Sequence, residues 1–225
     1  MNKKHLHWFC LVPFFLVFYG FFLSWVFPSS FYPYVREDGF TETLTVFVFL
    51  FSMIFSLYLS LRLKNGLHRL TYFILFLLFL FGLGEEISWG QRIFNLQSPD
   101  FFLDNNAQKE TNFHNLKIGD VKINKLLFGK ILGIFLAVYF LIFPLLFRKS
   151  KKFKNLIQKF QIPLPHNYHI ICFTLCFLMV EFTKSSRRGE LMEVGGACIF
   201  FLILLYPLNY ESRRSFYFKK RNSLN

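Results

Sequence analysis

The sequence predicts an all-α membrane protein: a single bundle of about six transmembrane helices, with N- and C-termini cytoplasmic. Three observations lead there. The 225 residues are 54% hydrophobic and 21% aromatic, with 35 phenylalanines, more apolar surface than a soluble domain can bury. The apolar runs recur along the chain, each long enough to cross a bilayer. Lys and Arg are also sorted between alternate connections, as the positive-inside rule requires.

In chain order, the spans are expected at residues 8–27, 43–63, 70–90, 127–147, 168–184 and 191–208. The basic start "MNKKHLH" resembles a signal-peptide n-region, but the apolar run after it is too long and lacks a small-x-small cleavage site. It reads as a retained helix. The whole chain, 1–225, is one integral membrane domain. Cys10, Cys172, Cys176 and Cys198 all fall inside spans and read as small apolar packing residues, not as a disulfide or metal set.

The net charge of +13 reports topology rather than nucleic-acid binding. With the N-terminus inside, the inner segments carry 16 of the 26 Lys and Arg, and Glu211 is their sole acid. The remaining acids lie in outer loops or outer helix ends. The inner face is thus a basic collar toward anionic lipid. Within the inner loop 148–167, "KKFKNLIQKF" places Phe153, Leu156, Ile157 and Phe160 at helical spacing between lysines, which predicts an amphipathic helix on the inner leaflet.

The outer face holds the candidate site. Counting along each span at ~1.5 Å per residue puts Glu85, Glu86, Glu181 and Glu193 below the outer surface, with Glu42 and Glu190 at its edge. A carboxylate facing lipid is costly, so these acids are expected to face the bundle interior. Glu37, Asp100, Asp104 and Asp120 sit in loops and read as a wet rim. If the third span stays helical, Glu85, Ser88, Trp89 and Arg92 share one face, while Glu86 points about 100° away. The outer loop 91–126 is too long for a simple connector. In it, Asn106, Gln108, Glu110, Asn112 and His114 alternate: an extended chain lines them on one edge, a helix scatters them.

The expected catalytic set is Glu85, Glu86, His114, Glu181 and Glu193. Arg36, Gln91, Arg92, Asn106, Gln108, Glu110, Asn115, Arg187 and Arg188 are the expected substrate-binding set. One outward histidine is too few for catalytic zinc. A metal held by Glu85, Glu86, His114 and Glu193 would be Mg²⁺, Mn²⁺ or Ca²⁺, and a metal-free site with His114 as acid or base is equally open.

Three strings, "REDGFTE" (36–42), "GEEISWGQR" (84–92) and "NAQKETNFHN" (106–115), resemble blocks in a bacterial family of uncharacterised multi-pass membrane proteins. That resemblance implies a shared architecture and a shared outer polar centre, but no activity. A weaker likeness is to the CAAX-type intramembrane proteases, whose EExxxR signature is spaced differently from Glu85, Glu86 and Arg92 and whose two membrane histidine motifs are missing.

Three functions compete. An enzyme, a hydrolase or transferase, would act on a lipid or lipid-linked substrate, with Glu85 or Glu86 as base or ligand, His114 as proton partner and the arginines on an anionic head group. A scaffold would use small-residue stripes such as Gly129 and Gly133 to pack against a protein partner that the sequence does not name. A carrier would use buried acids for protons or cations, although no internal repeat is visible.

Overall fold

The structure is a computed structural model that describes residues 3–119, 121–123 and 131–209, leaving aside the side chains of residues 3–6, 92, 121 and 122. Expectations placed on Asp120, Gly129, Glu211 and the basic residues after 209 lie outside the described residues. The described residues are mostly helical; their strands are a two-residue antiparallel pairing of β1 (Lys117–Ile118) with β2 (Val121–Lys122).

Among the described residues, four helical stretches are long and apolar enough to cross a membrane: His7–Val26, Pro28–Arg62, Gly66–Glu86 and Leu132–Lys149. Within them lie α1 (Leu11–Val26), α2 (Pro28–Val35), α3 (Phe40–Arg62) and α4 (Gly66–Glu86). The fourth stretch is α7 (Leu132–Ala137), a π-helical segment Val138–Ile142 and α8 (Phe143–Lys149). Pro144 opens α8, and the π segment just before it accommodates the lost N–H. The last two expected spans are shorter than their apolar runs suggest: α10 (Asn167–Glu181) has 15 residues and α11 (Gly189–Leu205) has 17.

The outward faces are strongly apolar: Phe51 is 56%, Leu78 60% and Ile134 68% exposed. Such surface suits a lipid solvent and not water. α11 lies at the centre, packed against α1, α3 and α10. Its buried face carries Val194, Gly195, Gly196, Ala197, Cys198 and Ile199. Small residues let the backbones approach closely. A Cβ on Gly195 would sit 2.7 Å from Val17 of α1, and one on Gly20 would sit 2.4 Å from Leu191. By contrast, a Cβ on Gly133, from the stripe expected to mediate packing, meets nothing within 4 Å.

α3 and α4 form a hairpin closed by Asn65, whose side chain accepts from the N–H groups of Leu67 and His68 at 2.9 and 3.3 Å and so caps α4. α3 turns Thr45, Ser52, Ser56 and Ser60 inward, and Thr45 and Ser52 donate to carbonyls one turn back.

At the same end of the bundle, α9 (Lys151–Phe160) is the amphipathic helix the spacing predicts, capped by Ser150. It is docked on the bundle rather than lying free: Ile157 is fully buried and Phe153 meets Phe143 edge-on. The chain then buries Leu164 between Pro163 and Pro165. Asn209 holds this segment by accepting from Leu164 N–H and donating to Ile162 C=O, and Tyr139 donates its hydroxyl to Pro163 C=O at 2.7 Å. His68 and His169 are also buried here. The basic end is therefore closed by polar as well as apolar packing, whereas the sequence reads as purely apolar there.

Candidate functional site: a glutamate cleft

The site begins where α4 ends. The third span was expected to run helically to residue 90. Instead the helix stops at Glu86, and Ser88, Trp89 and Gly90 take left-handed φ values of 47°, 53° and 80°. Two of these are not glycine, a strained arrangement that surrounding contacts must hold. Trp89 folds back so that its ring covers Gly84, where a Cβ would lie 2.9 Å from the indole. Its Nε1–H donates to Glu85 Oε1 at 2.9 Å. The shared helical face expected for Glu85, Ser88, Trp89 and Arg92 is thus replaced by a reversed turn. The contact from Trp89 to Glu85 forms through the turn, and Arg92's side chain lies outside the described residues.

Glu85 is buried, and both its oxygens are used. Oε1 accepts from Trp89; Oε2 accepts from the backbone N–H groups of Phe113 and His114 at 2.7 and 3.0 Å. This carboxylate pins the long loop to the end of α4. Three N–H donors thus hold it at the junction of helix and loop.

The loop itself is neither extended nor helical through residues 106–115. Asn106 is its hub. Its amide donates to Asn112 C=O and Oδ1, both at 2.9 Å, while its own Oδ1 accepts from Gln108 N–H at 2.9 Å. Asn112 donates to Ser88 Oγ and to Glu110 Oε2, both at 3.0 Å, and Ser88 donates to that same Glu110 oxygen. Gln91 accepts from Thr111 N–H at 2.7 Å. Ser98, buried, donates to Lys109 C=O at 2.7 Å. Two short helices, α5 (Gln91–Phe94) and α6 (Asp100–Asn105), carry the chain between these tethers.

The loop caps a cleft lined by Glu37, Glu42, Glu85, Glu86, Gln108, Glu110, Asn112, His114, Asn115, Glu190 and Glu193. Glu37 and Glu42 come from before and within the first turn of α3, Glu86 from the end of α4, and Glu190 and Glu193 from the first turns of α11. Glu42 Oε2 accepts from Asp38 N–H at 2.8 Å, which closes the N-terminus of α3 and orients the carboxylate. His114 Nε2 lies 3.9 Å from Glu193 Oε1. At the rim, Glu37 accepts from Gln108 Nε2 and stands 3.5 Å from Arg187 Nη1. The cleft encloses about 60 Å³, room for a few waters or one small charged group and not for a whole head group.

The structure brings together much of the expected set and leaves part of it apart. Glu85, Glu86, His114, Glu193, Gln108, Glu110 and Asn115 line the cleft, while Asn106 and Gln91 hold the loop behind it. Glu181 is exposed and pairs with Arg188 at 3.1 Å, so neither lines the cleft. Arg36 is exposed and does not line it either. Arg187 is spent on Glu37 and lies over Tyr32, 5.5 Å from the ring centroid. Of the anion clamp expected of Arg92, Arg187 and Arg188, the last two are each paired with an acid, and the side chain of Arg92 lies outside the described residues. Glu37, read as wet rim, belongs to the cleft, as do Glu42, Glu190 and Asn112. Depth counting had marked Glu42 and Glu190, and Asn112 stood in the alternating polar row of the loop; Glu37 drew notice only within the block "REDGFTE".

Glu85, Glu86, His114 and Glu193 share this cleft, yet among the described residues no three His, Cys, Asp or Glu side chains are grouped as metal ligands. No family model matches the chain, and no curated protein or solved structure matches it. Function is therefore argued from the cleft alone.

Proposed function

We propose that the chain is a six-span protein of the bacterial cytoplasmic membrane, with both termini on the basic side, whose glutamate cleft on the opposite side binds a cation or a cationic group. One observation carries this reading: among the described side chains, seven of the eleven that line the cleft are glutamates and none is Lys or Arg. Walls of one sign with low-dielectric surroundings focus the field, and a cation relieves the repulsion between carboxylates. The spread of the acids favours a hydrated ion or an ammonium group over a bare metal with several direct carboxylate bonds. It disfavours an anionic head group, the ligand that the arginines alone suggested.

A second reading, a hydrolase or transferase acting on a lipid or lipid-linked substrate, draws on the approach of His114 to Glu193. An imidazole beside a carboxylate is the usual means of moving a proton at a reacting centre. In this reading Glu86, His114 and Glu193 are the working groups, and Glu85 only positions the loop that carries His114.

Calorimetric titration of the protein in phosphatidylcholine nanodiscs with Mg²⁺, Mn²⁺, methylammonium and phosphate tests the first reading. Binding of at least one cation, weakened roughly tenfold in Glu193→Gln, is the expected result. Binding of phosphate alone would overturn it.

A further inference from the structure

Beside the glutamate cleft runs a second, larger cavity of about 320 Å³, between the first turns of α3 and the end of α4. Val46 and Phe47 of α3, Ile87 just after α4 and Ile93 of α5 give it apolar walls, and Glu42 and Glu86 line it as well as the cleft. Those two carboxylates are thus common to both spaces. The groove opens sideways: Phe47 is 50% and Ile93 66% exposed, on the surface that α3 and α4 turn toward lipid. Its volume is near the lower end of ligand-sized pockets, ~300–1,000 Å³, which suits one slender chain and not a two-chain lipid.

We infer that this groove is a lateral port for a single-chain amphiphile bearing an amine or other cationic head: the chain lies along Val46, Phe47, Ile87 and Ile93, and the head reaches Glu42 and Glu86 at the entrance to the cleft. The inference rests on the cationic reading of the cleft and adds the chemical class and the route of the ligand. Charge complementarity selects the head. Glu42 and Glu86 attract a cation and repel a phosphate or carboxylate at the point where chain and head must part. Apolar walls continuous with the lipid-facing surface select the tail, which moves from hydrocarbon into the groove without crossing water. The cleft beyond is too small for a whole amphiphile but has room for one small charged group such as an ammonium.

The experiment uses the full chain in phosphatidylcholine nanodiscs and three diazirine-bearing twelve-carbon probes differing only in the head: primary amine, alcohol and carboxylate. Cross-linked sites are read by mass spectrometry, with unlabelled dodecylamine as competitor. The amine is expected to label α3 and α5 at the groove, roughly tenfold above the carboxylate, and the competitor to abolish it. Glu42→Gln with Glu86→Gln should level the three heads. Ile93→Trp, at an exposed position that tolerates bulk, and Val46→Trp should each block amine labelling while leaving the titration of the cleft with small cations unchanged. Equal labelling by all three heads, or labelling spread over the lipid-facing surface and indifferent to Ile93→Trp, would overturn the port while small-cation binding still stood. Loss of small-cation binding in the unmodified protein would instead strike the cleft reading on which the port rests.

Discussion

Replacing Glu85 by Gln swaps one acceptor oxygen for an NH₂ that must face N–H donors, since Trp89 donates to one oxygen and Phe113 and His114 to the other. A buried donor left without an acceptor costs about 1–3 kcal/mol. Glu85→Gln should therefore lower the unfolding midpoint and speed amide exchange at Phe113 and His114. Glu86→Gln should leave exchange at those two amides as it is and weaken cation binding instead. Equal effects of the two changes on loop exchange would contradict this division. Gly84→Ala tests the same corner from the other side. Its Cβ would press into the Trp89 ring, displacing the indole at about 1–3 kcal/mol and shifting Trp89 emission, best read with Trp8 and Trp25 replaced by Phe.

At the scale of elements, the closest packing is between α1 and α11. Gly195→Ala places a methyl 2.7 Å from Val17 Cγ2, a clash worth about 1–3 kcal/mol. Val17→Ala makes room for it. The double variant should lose less stability than the two single losses added, a coupling that a thermal-denaturation cycle in detergent reads directly. Additive losses would mean that the two helices do not meet there. The helices themselves were legible, because uninterrupted apolar runs leave few alternatives to a span. Their ends were less so. The run after residue 70 carries no signal that Ser88 and Trp89 enter the left-handed region, since that turn is held by Gly84 and Glu85 through the indole, a tertiary contact. Likewise the expected fifth and sixth spans ran on to Lys184 and Leu208, past the ends of α10 at Glu181 and α11 at Leu205. The small-residue stripe at Gly129 and Gly133 drew notice by its spacing. The glycine that packs, Gly195, shows in the sequence only as part of "GGA" within an otherwise apolar run.

Over the whole molecule, charge sorting and depth counting found the polar end but not its wiring. The acids of α4 and α11 were traced because a carboxylate in a membrane-length helix has few places to go. The wiring was not: Glu37 was read as rim, and Asn106, expected at the substrate, is the hub of the loop, because loop side chains meet through a fold that spacing does not encode. The same holds for two of the arginines: Arg187 and Arg188 each have an acid beside them in space. The charge asymmetry makes its own prediction. Cysteines placed at Phe94 and at Lys151, in a chain whose native cysteines are all buried, should react with a membrane-impermeant maleimide from opposite sides of the membrane. Reaction of both from one side would refute the six-span topology.

The most direct measurement is an experimental structure of the protein in a bilayer mimetic soaked with Mn²⁺ or Rb⁺, with the ion located by its anomalous signal. A peak inside the cleft, within reach of Glu86, Glu190 and Glu193 through first-shell water, is the expected result. A cleft without a peak while the ion sits elsewhere, or glutamates of α4 and α11 turned out toward lipid, would contradict it.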